Sequence, residues 1–180
     1  MGARLAPVKP AVTARADIVG SLLRPQELLE ARGSYAADGL SAVEFKRIED
    51  GAVDWAIGLQ ERAGLSVVTD GEMRRESFQS QMVEAVEGFG EHDMDAWLWG
   101  ECKVAVLGLV TTKTPRRETP QDLEASIYEA SRFIPLERLA LSPQCGFATS
   151  IIGNAISVED EEYKLRTIVE TAEQVWGRPL

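Results

Sequence analysis

The chain has 180 residues, 44% hydrophobic and 27% charged, proportions expected of a globular domain able to bury a core. With 29 acidic and 19 basic residues the net charge is −10, a field that repels phosphate backbones and anionic lipid, so neither nucleic acid nor a membrane surface is an expected partner. The first ten residues lack the apolar stretch of a secretory signal, no run approaches the roughly 20 apolar residues of a spanning helix, and Cys102 and Cys145 lie far apart, so a cytoplasmic setting is expected.

Residues 1–14 hold two prolines and little pattern and are expected to form a flexible arm ahead of a single domain over 15–180. The apolar run 16–23 (ADIVGSLL) predicts a first strand, and Pro25 then sits where a first helical turn tolerates it, ahead of a helix from Gln26 to Arg32. Ser41 with Glu44 three residues later predicts a capping box. From there the apolar residues Val43, Ile48, Ala52, Val53, Trp55, Ala56 and Leu59 follow helical spacing, and Gly64 is placed to end the helix.

Residues 65–69 (LSVVT) predict a second strand, ending in Asp70-Gly71-Glu72, and 73–88 a further helix. The stretch 89–102, with its acids, His92, Trp97 and Trp99, reads as an irregular junction. Residues 103–110 (KVAVLGLV) are almost continuously apolar, as in a parallel strand covered on both faces. A helix from Thr119 to about Phe133, a fourth strand at 139–141 and a last helix over 158–176 complete the order. Strands alternating with helices predict parallel β-α-β units and an α/β fold.

In such folds ligands gather at the carboxyl ends of strands. Here those ends carry Gly20-Ser21, Asp70-Gly71-Glu72, Thr111-Thr112-Lys113 and Gln144-Cys145-Gly146. Glu72 could hold a ligand ammonium or cap a turn; Val19-Gly20-Ser21 could receive a small carboxylate through backbone N–H groups and a hydroxyl, or end a strand. Arg74 and Arg75 could clamp an anion or neutralise nearby acids, and Arg24 could form a rim salt bridge. Cys145, between a glutamine and a glycine, could expose a thiolate for metal ligation or nucleophilic chemistry, although a lone cysteine is commonly buried and inert. Cys102 reads as a small hydrophobe, His92 as part of a solvated loop, and Trp97 and Trp99 as stacking residues or a partner-covered patch.

Taken together, the segments ADIVGSLLRP and ERAGLSVVTDGEMRRESF resemble the opening of the catalytic barrel of cobalamin-independent methionine synthases, and VLGLVTTK with FIPLERLALSPQCGFATS resembles its close. The family fold is a (β/α)₈ barrel of about 250 residues. The resemblance therefore implies a truncated TIM-type (β/α) barrel whose middle is missing, its four parallel strands equivalent to barrel strands 7-8-1-2. It implies zinc-dependent methyl transfer from a methylated folate to the sulfur of homocysteine. Val19 and Ser21 would receive the homocysteine carboxylate, Glu72 its ammonium, and Cys145 would be one zinc ligand. The family's remaining ligands, a His, a Cys and a Glu, fall in the missing middle, and neither His92 nor Cys102 matches them. A homodimer completing the barrel is one arrangement this implies. The alternative is a non-catalytic remnant that binds a small amino acid or serves as an interaction module.

Overall fold

A computed structural model describes residues 14–75, 104–148 and 153–177. The expected arm up to residue 13, the 76–88 part of the third helix, and the 89–102 junction with His92, Trp97, Trp99 and Cys102 lie outside the described residues. The architecture is α/β. In chain order it comprises helix α1 (Gln26–Ala36), helix α2 (Ala42–Ala63), strand β1 (Ala105–Val110), helix α3 (Pro120–Ala130), strand β2 (Leu139–Pro143) and helix α4 (Val158–Trp176).

The helix boundaries follow from local chemistry. Ser41 accepts from the Glu44 N–H while Glu44 reaches back to the Ser41 N–H, so α2 opens on the expected capping box. It ends at Gly64, which adopts the left-handed conformation at φ 89°. Thr119 caps α3 through the Asp122 N–H with Pro120 in the first turn, and Ser157 caps α4 through Asp160. Val43, counted in the apolar stripe of α2, is 82% exposed; the buried stripe begins further along, at Ala52.

Two of the four expected strands form a ladder. β1 and β2 pair in parallel from Ala105↔Leu139 to Val110↔Pro143, with an irregularity between Gly108 and Val110, and α3 makes the crossover between them. The expected first strand is reduced to one parallel bridge, Ala16↔Leu141, in which the Asp17 N–H donates to the Leu141 carbonyl and the Leu141 N–H to the Arg15 carbonyl. The ladder stops there because the chain turns at Gly20, φ 94°. The expected second strand, 65–69, has no ladder. Gln60, fully buried on α2, takes both main-chain groups of Thr69, accepting from its N–H and donating to its carbonyl at 2.8 Å each. The backbone groups a neighbouring strand would use are thus met by a side chain. The Leu22 N–H donates to the carbonyl of Gly71, two residues past the second segment, at 3.1 Å.

Two apolar clusters hold these layers. One gathers Ile18, Leu22, Leu28, Ala56, Leu59 and Met73 with Phe147 and Leu165. The other seals β1 and β2 under α3 and α4 through Val110, Leu123, Ile127, Leu139, Leu141 and Ile168. No helix among the described residues is long and apolar enough to cross a membrane.

The close approach of residues 20–21 to 145–147 welds the first segment to the end of β2. A Cβ on Gly20 would lie 2.9 Å from the Cys145 carbonyl oxygen, and one on Gly146, φ 91°, would lie 2.5 Å from the Ser21 nitrogen. Only hydrogen fits between these backbones. Gly146→Ala combines a strained φ with a backbone clash and should destabilise by roughly 2–4 kcal/mol; chemical denaturation measures this, and wild-type stability would show that the crossing is not tight.

Glu161, in the first turn of α4, is fully buried; one oxygen accepts the Leu23 N–H at 2.9 Å and the other has no partner among the described residues. Burial pushes its carboxyl up from the usual 4.5 to about 8, the Leu23 hydrogen bond opposing the shift only in part. The folded chain therefore holds a proton that the unfolded chain releases, and stability falls as pH rises between these two values, by up to about 1.4 kcal/mol per pH unit. Glu161→Gln should remove that slope, so that the variant gains on the wild type from pH 5 to pH 8 in denaturation midpoints; parallel profiles would disprove the assignment.

Candidate functional site

Two loops meet near the carboxyl end of β2. The first, 144–148, follows β2 and presents an exposed Cys145. Its shape is set by Ser21, whose carbonyl accepts from the Phe147 N–H at 2.6 Å and the Ala148 N–H at 3.3 Å, and whose hydroxyl donates to the Ala148 carbonyl at 2.5 Å. Asn154 ties the same loop to the end of β1 by donating to the Gly146 and Thr112 carbonyls. Beyond β1 the chain is anchored by a buried ion pair, Lys164 with Glu118 at 2.9 Å; Glu118 also accepts the Thr111 N–H, and Lys164 donates to the Arg116 carbonyl.

The second loop, 69–75, carries the acidic turn. Gly71 adopts φ 63° in a space where a Cβ would press on Ala56, Met73 and Leu22. Glu72 follows at φ 57°, a conformation few non-glycine residues hold. The Asp70 carboxylate receives the Glu72 N–H at 3.0 Å, and fully buried Met73 pins the turn to the core. Arg32, reaching over from α1, donates to the Met73 carbonyl at 2.6 Å and pairs with Glu49, while Arg74 pairs with Asp50 on α2 at 2.6 Å.

Arg24 joins the two loops. It is only 9% exposed, and its guanidinium donates to the carbonyls of Ala148 (3.3 Å), Glu72 (3.4 Å) and Arg75 (2.8 Å). Burial lowers its pKa, with Arg32 adding to the effect and Glu72 opposing it. The planar fork of arginine suits this work, because it serves several carbonyls at once from a fixed geometry.

The structure thus brings the Glu72 turn and the Cys145 loop to one guanidinium, and Val19, 45% exposed, precedes Gly20, which lies against the Cys145 backbone. Ser21 lies at the same place but differently engaged: it is 3% exposed and its one hydroxyl proton is spent on the Ala148 carbonyl. Arg75 pairs with Glu72, Nη1 to Oε1 at 2.9 Å, and keeps 44% of its side chain exposed. Among the described residues no group of three or more His, Cys, Asp or Glu side chains is placed to hold a metal ion, so Cys145 stands as a single donor. The sequence offers no reading of Gln60 and leaves a rim salt bridge open for Arg24. A polar residue on the buried stripe of α2, four positions from Ala56, was the available signal for Gln60; nothing local distinguishes Arg24.

No protein-family model matches the chain. Two Bacillus subtilis (strain 168) proteins, the uncharacterized YxjG and YxjH, are 51% and 46% identical to it over 71 residues, 39% of this chain and 19% of either relative. The matched stretch is therefore under a fifth of the length of these relatives. Among solved structures, a Listeria monocytogenes protein provisionally assigned as a vitamin-B12-independent methionine synthase superposes with a TM-score of 0.71 at 19% identity, over 98% of this chain and 100% of that one. The chain shares the fold of that protein.

Proposed function

We propose that this chain holds homocysteine by its amino-acid end for methyl transfer to the sulfur, the reaction of cobalamin-independent methionine synthases, with a methylated folate as donor. The observation that carries the reading is the joining of the Glu72 turn and the Cys145 loop by one buried guanidinium, Arg24. In this reading the Glu72 carboxylate takes the ligand ammonium, the backbone around Val19 and Ser21 faces its carboxylate, and its sulfur is directed toward Cys145. The likeness to the Listeria protein supports the same family of reactions.

The finer fold assignment belongs to this reading. We take β1, β2, the first segment and residues 65–69 as neighbouring staves of a partial (β/α) barrel, in the order 7-8-1-2. The parallel β1–β2 ladder, the Ala16 bridge to β2 and the Leu22–Gly71 hydrogen bond support that order.

Zinc would supply thiolate activation in this family, since a bound ion lowers the pKa of a ligand thiol. A stable zinc site uses three or four protein donors. The described residues offer one, Cys145, and do not by themselves fit the ion. The share of the reaction assigned to this chain's described residues is accordingly binding and orientation.

Titration calorimetry of the full chain with L-homocysteine tests the reading. Glu72→Gln keeps the side-chain shape and removes the charge, and should weaken binding by on the order of tenfold or more, as for loss of a charged hydrogen bond. Unchanged affinity would remove Glu72 from the site, and absence of binding to the wild type would remove the amino-acid reading. Methionine formation from homocysteine and a methylated folate, with zinc added, measures the reaction itself.

A further inference from the structure

We propose that the proton on Glu161 latches the functional end: residues 21–24 part from their neighbours as a unit smaller than the whole fold, and the opening releases that proton, so rising pH favours the open site. The inference rests on no particular ligand and stands whether or not the site holds homocysteine.

Residues 21–24 are the hub of this end. The Leu22 N–H donates to the Gly71 carbonyl beside the Glu72 turn, the Leu23 N–H donates to Glu161 on α4 at 2.9 Å, and the Ser21 carbonyl accepts from Phe147 and Ala148 in the Cys145 loop. Arg24 completes the hub through the Ala148, Glu72 and Arg75 carbonyls. The turn and the loop are thus both held by four consecutive residues, and the hydrogen bond from those residues to α4 ends on a carboxyl.

That carboxyl is fully buried, with one oxygen unpartnered among the described residues. The charged groups around it are already engaged: Asp160 and Glu162 on its own helix pair with Arg117 and Arg166, Lys164 one turn on pairs with Glu118, and Arg24 serves carbonyls. The α2 face that shares an apolar cluster with Leu165 of α4 buries only apolar residues apart from Gln60. The first turn of a helix favours an anion, but one N–H in a sealed site does not replace the water a carboxylate loses. Burial accordingly raises the Glu161 pKa from 4.5 to about 8, with no contribution from a neighbouring charge. Closed, the hub holds a neutral acid; opened to water, the acid regains its ordinary pKa and ionises. Between these two values each pH unit favours the open form about tenfold, and above the upper one the gain ends. A ligand that bridges the turn and the loop selects the closed form.

Hydrogen exchange of the full chain, read residue by residue by NMR between pH 5 and pH 8 and corrected for the intrinsic pH dependence of exchange, tests the latch. The amides of Leu22, Leu23, Phe147 and Ala148 should lose protection together, about tenfold per pH unit, while remaining less protected than the amides of the β1–β2 ladder, which report opening of the whole fold. In Glu161→Gln the protection of the same four amides should be independent of pH. Wild-type protection that does not change with pH overturns the proposal. Protection equal to that of the ladder at every pH does so too, because the hub would then open only with the whole fold. A slope that survives in Glu161→Gln assigns the proton to another group and overturns it as well. Glu161→Met, of similar length and without a titratable group, serves the same comparison if the Gln variant does not fold, and the wild-type profile alone decides the first two outcomes.

Discussion

One buried cation organises the functional end of this molecule. Arg24 carries its charge into the protein and meets carbonyl oxygens from two separate loops, at Ala148 and at Glu72 and Arg75. Charged hydrogen bonds of this kind are about twice as strong as neutral ones. The Glu72 turn and the Cys145 loop therefore do not move independently. The strained backbone of Glu72, at φ 57°, persists because Arg24, Arg32 and Asp70 determine it from several sides.

Side chains also replace what sheet ladders would do elsewhere. Gln60 satisfies Thr69 in the place of a neighbouring strand, and across the glycine crossing the Ser21 hydroxyl donates to the Ala148 carbonyl beside the main-chain bonds that its own carbonyl accepts from Phe147 and Ala148. The described sheet proper is two strands wide, and the first segment joins it through one bridge, Ala16↔Leu141. Such an arrangement depends on specific polar groups rather than on repeating main-chain bonds. The two glycines at the crossing and the single amide of Gln60 hold positions that a regular ladder would spread over many residues.

Acids serve opposite purposes on the two sides of this end. Glu161 is sealed beneath it, where burial raises its carboxyl pKa and the Leu23 N–H is its one partner among the described residues. Glu72 keeps 20% of its side chain exposed and is matched by Arg75. Environment, not residue type, separates a buried, protonated carboxyl from one held in an ion pair. The excess of acidic residues in the chain says nothing of this division.

Much of the secondary structure was legible from local chemistry. The Ser41–Glu44 box, Gly64, Thr119 with Pro120, and the apolar run that became β1 each act within a few residues of themselves. For the same reason the helix expected to reach Phe133 ended at Ala130, and the strands expected at 16–23 and 65–69 did not form as ladders: apolar character predicts burial, but a ladder needs a partner's backbone groups to be free. The strand-end residues Val19, Ser21, Glu72 and Cys145 were likewise legible as candidates, because glycine-rich polar turns after apolar runs mark such ends. The sequence alone thus determined the α/β alternation, the helix caps and the segments that carry reactive groups. Only the tertiary structure decided that Arg24 is an interior clasp, that the Ser21 hydroxyl is consumed by Ala148, and that Arg75 lies on Glu72. The first two outcomes depend on which loops approach within hydrogen-bond distance across more than a hundred residues of chain, which no local pattern encodes, and the third, between residues three apart, on the left-handed turn at Gly71 and Glu72.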